Sequence, residues 1–256
     1  MRILSIGDVI GKPGRDAVAS IVPDLRVKYS IDMVVANGEN AAGGLGLTPA
    51  TAESMMRSGI DVITSGNHIW KHKEMVSALD QGMPILRPLN YPPNVPGRGY
   101  LVRDGVMVVN LEGRVFMGEL DCPFRAMESL LEETDPEIRV VLVDFHAEAT
   151  SEKGALGMYL DGRVSAVVGT HTHIGTVDAR ILPRGTAFVT DIGMVGPKDS
   201  VIGDDPGNVI GKFLTQMPWR LTVGKGPVTF NSILVETDES GKAVDIIRID
   251  REYPER

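Results

Sequence analysis

The sequence predicts an α/β protein in which short buried strands alternate with helices along a parallel sheet. In the first quarter of the chain, brief apolar runs alternate with segments that carry helix start signals. Near the C-terminus, VTFNSILVET and AVDIIRID are separated by DESGK, which is typical of a β-hairpin. No linker, low-complexity tract or repeat interrupts the 256 residues, so one domain spanning 1–256 with two sheets is the simplest organisation.

The first elements follow from local signals. Strands are expected at 3–7, 32–37 and 61–66, each apolar and each ended by glycine or asparagine. A helix is expected from Pro13, where proline suits the first turn, and a second begins at Thr48-Pro49 with Thr48 as its N-cap.

The later elements are less regular. Residues 84–96 contain many prolines and are expected to be loop. The remaining predicted elements are strands at 106–113, within 138–148, at 164–169 and at 186–193, and helices at 121–134 and within 151–162.

Composition excludes several classes of function. The net charge of −8 argues against stable binding of nucleic acid, which requires a basic surface. The single cysteine, Cys122, can form neither an intramolecular disulfide nor a cysteine-rich zinc site, which suits a reducing compartment. The N-terminal segment is not a signal peptide and no run has the length of a membrane span, so we expect a cytoplasmic protein without a membrane partner.

Polar side chains follow the buried strands at the points where the strands end, and they include four of the five histidines. Ligands in open α/β sheets bind outside the carboxyl ends of the strands, so these side chains are expected to converge there. They are Asp8, Glu39, Asn40, Asn67, His68, His146, His171 and His173.

These residue types indicate a metal centre. Imidazole and carboxylate suit zinc, iron or manganese, and the set is too large for one tetrahedral ion, so it fits two ions that share a carboxylate. His171 and His173 are expected to point to one side of an extended strand exit, so that each serves one ion. Taken singly, Asp8 also fits a turn or helix cap, Asn67-His68 a helix start, and His146 a buried structural histidine.

The order of these segments resembles the calcineurin-like metallophosphoesterases. The segments are Asp8, GEN at 38–40, GNH at 66–68, DFHAEATSEK at 144–153 and GTHTH at 169–173. The usual opening is Asp-x-His and the usual second motif offers a bridging Asp, whereas this chain has Asp8-Val9-Ile10 and Glu39-Asn40. A small bacterial subfamily, the 2′,3′-cyclic-nucleotide phosphodiesterases, is similar in both respects, and GRVFM at 113–117 and TDIGMVGP at 190–197 also resemble its segments.

The resemblance implies an α/β/β/α sandwich of two mixed sheets flanked by helices. It implies a first metal ion held by Asp8, Glu39, Asn40 and His173, and a second held by Glu39, Asn67, His146 and His171. Glu39 then bridges, His68 faces the substrate without being a ligand, and iron or manganese is the expected metal pair.

The activity implied is hydrolysis of 2′,3′-cyclic nucleotides at the 2′ ester to give 3′-nucleotides. A hydroxide that bridges the metal ions is the expected nucleophile, and His68 is the expected proton donor. A phosphomonoesterase or nucleotidase with the same site, and a metal-dependent regulatory protein that senses nucleotides, stay open. The expected partner is a small cyclic nucleotide or another phosphoester, and assembly into a homo-oligomer is compatible with the sequence.

Overall fold

A computed structural model describes residues 1–254 of the protein. The helices in this part of the chain are α1 Gly11–Tyr29, α2 Pro49–Arg57, α3 Lys73–Leu79, α4 Pro123–Glu133, α5 Thr150–Leu160 and α6 Pro206–Thr215. The strands are β1 Arg2–Ile6, β2 Asp8–Val9, β3 Met33–Asn37, β4 Val62–Thr64, β5 Tyr100–Arg103, β6 Val106–Glu112, β7 Val140–His146, β8 Ala166–Thr170, β9 Arg180–Ile181, β10 Ala187–Val189, β11 Met194–Pro197, β12 Val228–Phe230, β13 Ser232–Thr237, β14 Ala243–Arg248 and β15 Arg251–Tyr253.

The strands form three mixed sheets. Their orders are β14-β13-β1-β3-β4, β5-β6-β7-β8-β10-β9 and β15-β12-β11-β2. In the first sheet β1, β3 and β4 are parallel, and in the second β6, β7, β8 and β10 are parallel. Parallel strands end at one edge, so each large sheet presents its loops together at that edge.

The two large sheets pack face to face, and helices cover their outer faces. In β3, Met33 and Val35 belong to the core between the sheets, whereas Val34 and Ala36 belong to the core beneath α1 and α2. Side chains of α4 and α5 cover the outer face of the second sheet. Since side chains alternate along a strand, strands buried on both faces are continuously apolar, as the sequence shows. The predicted α/β/β/α sandwich is confirmed.

The third sheet was not predicted. The chain leaves the first sheet at Gly7, where a Cβ atom would lie 1.9 Å from the Gly193 carbonyl oxygen. This close approach lets Asp8 enter β2, which pairs with β11. The strand predicted over 186–193 is present but shorter, since β10 covers only Ala187–Val189; the chain then turns and enters β11, which belongs to the third sheet. Within residues 1–254, no helix combines the length and the apolar character that crossing a membrane demands.

Candidate metal centre

The structure brings together all eight side chains selected from the sequence. Asp8 begins β2, His146 ends β7, and His171 directly follows β8. Glu39 and Asn40 lie just beyond β3, and Asn67 and His68 just beyond β4. The strand ends of the two large sheets therefore supply the centre from both sides.

One group of side chains surrounds His146. Its Nε2 lies 3.2 Å from Glu39 Oε1, 3.2 Å from Asn67 Oδ1 and 3.1 Å from His171 Nδ1. Glu39, His146 and His171 each offer a ligand atom within 4.8 Å of the others, which is a spacing that one metal ion can span. The donors are nitrogen and oxygen atoms, as borderline and hard divalent ions require.

A second group surrounds His173. Its Nε2 lies 3.7 Å from Asp8 Oδ1 and 3.2 Å from the amide nitrogen of Asn40. Glu39 Oε1 is 3.3 Å from that amide nitrogen, so the same carboxylate oxygen adjoins both groups. Asp8 is fully buried, yet its Oδ1 has no hydrogen-bond partner among the described residues. A buried carboxylate oxygen without a donor is costly unless a cation balances it, so these residues fit a metal ion.

Hydrogen bonds turn two of the histidines so that Nε2 faces the centre. His146 Nδ1 donates to Thr170 Oγ1 at 3.0 Å, and that hydroxyl donates to Asp144 Oδ1 at 2.7 Å. His173 Nδ1 donates to the Ile202 carbonyl at 2.6 Å. With a proton on the outer nitrogen, the inner nitrogen of a neutral imidazole has a lone pair for a metal ion.

His171 is oriented by a carboxylate that the sequence interpretation missed. Its Nε2 lies 3.1 Å from Glu148 Oε2, which leaves Nδ1 directed at His146. The available signal was the position of Glu148, two residues beyond the strand-end His146. A carboxylate that accepts from the outer nitrogen of a metal-binding histidine fixes its tautomer and raises its basicity.

His171 and His173 reach the centre by a backbone route that strand alternation does not describe. Strand β8 ends at Thr170, and the two histidines have φ values of 99° and 64° in the left-handed region. The expectation of an extended exit was therefore wrong. Asp191 holds the loop: its Oδ2 accepts from the Thr172 backbone N–H at 3.1 Å and from the Thr172 hydroxyl at 2.8 Å. Lys153, equally buried, donates to the same oxygen at 2.7 Å.

The Asn40 amide has an orientation that bears on metal binding. Its Oδ1 lies 2.8 Å from His68 Nδ1, and its nitrogen faces His173. Only the oxygen can bind a metal ion, because the amide nitrogen has no available lone pair. Ligation by Asn40 therefore requires the amide to turn by about half a rotation, after which its nitrogen donates to His68 Nδ1.

His68 lies at the border between the centre and the cavity above it. Its backbone N–H donates to Glu39 Oε2 at 3.1 Å, and its Nδ1 lies 3.1 Å from Glu39 Oε1. The side chain lines a cavity of about 860 Å³, together with Glu39, His171 and His173. Within residues 1–254 no side chain bonds His68 Nε2, so that nitrogen is available to a molecule in the cavity.

The electrostatics of the centre show where protons reside before a metal ion binds. Burial alone lowers the pKa of His146, but the Glu39 carboxylate outweighs burial and raises this pKa to about 9. Burial raises the pKa of Glu39, but His146 and His68 together hold it well below its usual range. Burial, followed by the charge of His146, lowers the pKa of His171 to about 3. The metal-free centre thus carries an imidazolium at His146 and a carboxylate at Glu39.

A further carboxyl group, Glu112, ends β6 beside His146 on β7. Its Oε2 is buried without a hydrogen-bond partner among the described residues, and burial raises its pKa to about 7. The sequence interpretation passed over it, although it also stands at a strand end. It increases the negative character of this edge once it is ionised.

The layered sheets and the histidine–carboxylate cluster at their strand ends define a metallophosphoesterase-like protein. A match to a known family makes the class of protein more specific. The chain belongs to the family described as YmdB-like protein, whose model matches residues 4–249. The resemblance seen in the sequence is confirmed at the level of the family.

Individual relatives extend over nearly the whole chain. A Bacillus subtilis (strain 168) protein named 2′,3′-cyclic-nucleotide 2′-phosphodiesterase is 48% identical over 254 residues, covering 97% of this chain and 96% of its own. The crystal structure of a hypothetical protein from Thermus thermophilus has a TM-score of 0.93 at 46% identity, with 99% of this chain and 100% of that chain covered. The crystal structure of a Mycoplasma pneumoniae protein described as a novel phosphatase also has a TM-score of 0.93, at 32% identity, with 100% and 94% covered.

Proposed function

We propose that this protein is a metal-dependent phosphodiesterase that cleaves the 2′ ester of 2′,3′-cyclic nucleotides and releases 3′-nucleotides. The observation that carries the proposal is the cluster of inward-facing nitrogen and oxygen atoms around Glu39 at the floor of the cavity. The name of the Bacillus subtilis relative supports the choice of substrate. The matched region, 4–249, supports the view that residues 1–256 act as one domain.

The centre is proposed to hold two metal ions. Asp8, Asn40 and His173 would hold one ion, and Asn67, His146 and His171 the other, with Glu39 between them; the distances described above support this division. Metal ions bound there supply Lewis acidity and make water acidic enough to act as a nucleophile near neutral pH. Iron or manganese is proposed because imidazole, carboxylate and amide ligands suit both.

The side chains of the protein have separate tasks around the substrate. Asp8 and Glu39 place fixed negative charge at the floor of the cavity. An anionic phosphodiester can bind beside these carboxylates only when cations neutralise their charge. His68 is proposed to give a proton from Nε2 to the departing 2′ oxygen, because its Nδ1 is already engaged by Asn40 and Glu39. Thr170, Glu148 and Ile202 hold the histidine rings in place during turnover.

The proposal is tested by metal analysis of the purified protein and a substrate panel on the same sample. We expect stoichiometric transition metal and conversion of 2′,3′-cyclic AMP to 3′-AMP, with little hydrolysis of 3′-AMP or p-nitrophenyl phosphate. Comparable turnover of 3′-AMP would instead identify a phosphomonoesterase; the Mycoplasma pneumoniae protein of similar structure is described as a phosphatase. Metal-loaded protein that binds cyclic nucleotide without turnover would indicate a sensing role.

A further inference from the structure

The cavity above the metal centre is larger than the phosphate chemistry requires. Its volume is about 860 Å³, and the side chains of the metal centre occupy only its floor. Cavities of roughly 300–1,000 Å³ accommodate whole small-molecule ligands. The outer part of the cavity is therefore available to the portion of the substrate that does not react.

The outer wall carries three exposed aliphatic side chains. Leu45, Ile202 and Leu221 all line the cavity, and they are 46%, 47% and 38% exposed. Single exposed aliphatic residues are ordinary on a protein surface, but these three come from separate segments and face one opening. Their convergence indicates a surface for a flat apolar group.

The segments that carry these side chains are packed together. A Cβ atom at Gly44 would lie 2.9 Å from Val223 Cγ2, so the loop that contains Leu45 rests against the segment that contains Leu221. Ile202 belongs to the loop that accepts the hydrogen bond from His173, which ties this wall to the metal centre. The wall therefore has a defined position relative to the floor.

Arg220 is the one lysine or arginine that lines this cavity among residues 1–254. No hydrogen bond or ion pair joins its guanidinium group to another residue in that part of the chain. A planar guanidinium group stacks well on an aromatic ring and also binds phosphate. Metal ions at the floor would already bind the phosphate, so Arg220 is not needed for that purpose. Arg220 precedes Leu221 in the chain and therefore lies beside the apolar wall.

We propose that Leu45, Ile202, Leu221 and Arg220 form a subsite that binds the nucleobase of the substrate. The aliphatic side chains contact the faces and edges of the base, and the guanidinium plane of Arg220 stacks on it. This inference rests on the proposed function, because it assumes a nucleotide whose phosphate lies on the metal centre. It assigns recognition to side chains that take no part in the chemistry.

The experiment compares two esters that differ only in the base. These are 2′,3′-cyclic AMP and methyl β-D-ribofuranoside 2′,3′-cyclic phosphate, which contains the same cyclic ester without adenine. The measured quantity is the ratio of kcat/KM for the two esters. In the wild type we expect a ratio well above one. In Arg220→Ala and Leu221→Ala this ratio falls about ten-fold, within the range that stacking on a base provides.

Matched variants separate base stacking from other effects. Lys225→Ala removes an exposed cation, and Leu214→Ala removes an exposed leucine of α6; neither residue lines this cavity, so both retain the wild-type ratio. Arg220→Lys keeps the positive charge but lacks the guanidinium plane, so its ratio stays low. A ratio restored by lysine, or an equal loss on both esters, overturns the subsite and assigns Arg220 to the phosphate.

The test distinguishes failure of the subsite from failure of the proposed function. A wild type that hydrolyses both esters equally retains the phosphodiesterase activity and refutes the subsite. A wild type that hydrolyses neither ester refutes the activity. In that case, calorimetric binding of 3′-AMP and ribose 3-phosphate to metal-loaded protein makes the same comparison without turnover. Equal binding of those two compounds, or none, then overturns the subsite as well.

Discussion

The floor and the outer wall of the cavity are built in opposite ways. The metal centre at the floor is built on fully buried polar side chains, namely Asp8, Glu39 and His146. The wall consists of exposed side chains on loops, namely Leu45, Ile202, Arg220 and Leu221. A metal centre requires fixed ligand atoms, whereas recognition of a base tolerates adjustment. Under the proposed function, the contrast means that the floor positions the reacting phosphate and the wall selects the substrate.

The rigidity of the floor has a physical origin in its second layer of hydrogen bonds. The rings of His146, His171 and His173 each bond outward to a different element, which leaves one nitrogen per ring for the centre. Comparable bonds are absent from the wall residue Arg220 within residues 1–254. Substitutions of the proposed metal ligands in the floor should therefore reduce metal binding and turnover together, and substitutions in the wall should affect only selectivity.

The largest effect is expected from Glu39→Gln. The variant removes the charge that adjoins both groups of ligands, so metal content and turnover should both fall by more than about 100-fold, beyond the loss typical of an outer partner. Metal analysis and the cyclic AMP assay on one sample measure this. Glu137→Gln, at an exposed position, is the matched control. Retention of two metal ions by the Glu39 variant would exclude a bridging role.

His68→Ala should separate chemistry from metal binding on the floor itself. Loss of a positioned proton donor is expected to reduce kcat by about 10²–10⁴-fold, while metal content stays at the wild-type level. Lys73→Ala, an exposed change in the same region, provides the control. Unchanged turnover in the His68 variant would remove this residue from the proposed proton transfer.

Asp191→Asn tests the anchoring of the loop that carries His171 and His173. The variant removes the charge that pairs with buried Lys153 and weakens the contacts to Thr172, so we expect about 10–100-fold weaker metal binding. Breaking a buried ion pair should also cost about 3–5 kcal/mol of unfolding free energy. Metal titration and denaturant unfolding measure these two effects.

A second variant distinguishes loop anchoring from general destabilisation. Lys153→Met removes the same ion pair but leaves the hydrogen bonds from Thr172 to Asp191 intact. We expect this variant to lose stability with a smaller loss of metal affinity. Equal metal affinities for the two variants would show that Asp191 acts through stability alone.

The last effect requires no substitution and is a pH dependence of metal uptake. In the metal-free protein His146 has a pKa of about 9, so below that pH a proton must leave before a metal ion binds. The affinity for Mn²⁺ should therefore rise by about ten-fold per pH unit from about pH 7 to about pH 9 and then level off. Calorimetry in buffers of different ionisation enthalpy should detect about one proton released. An affinity for Mn²⁺ that stays constant from about pH 7 to about pH 9 would contradict the raised pKa of His146.

The sequence predicted most of the fold where local signals agree with the tertiary structure. The apolar runs of β1, β3, β7 and β8 are buried on both faces, so their pattern is unambiguous. Helix α6 was missed because Gly207 and Gly211 interrupt it, although Asp205-Pro206 is a recognisable helix start. The short β15 pairs with β12, with Tyr253 opposite Val228, and no local sequence pattern reveals a pairing at that distance along the chain.

The candidate site could be predicted as a set of residues but not as an arrangement. Convergence of the strand ends selected the eight polar side chains, since parallel strands place their exits together. The outward partners Glu148 and Thr170, and the orientation of the Asn40 amide, depend on contacts between distant segments. Those contacts decide which nitrogen of each ring faces inward, and composition carries no information about them.

Gly66 gives the centre a strict steric limit. A Cβ atom at this position would lie 2.1 Å from His146 Cδ2 and 2.5 Å from Glu39 Oε2. The backbone that follows β4 thus lies directly against both side chains, and no space remains for a methyl group. A design that grafts this centre onto another scaffold must keep glycine at the equivalent position. Even alanine there would push the imidazole of His146 away from the carboxylate of Glu39.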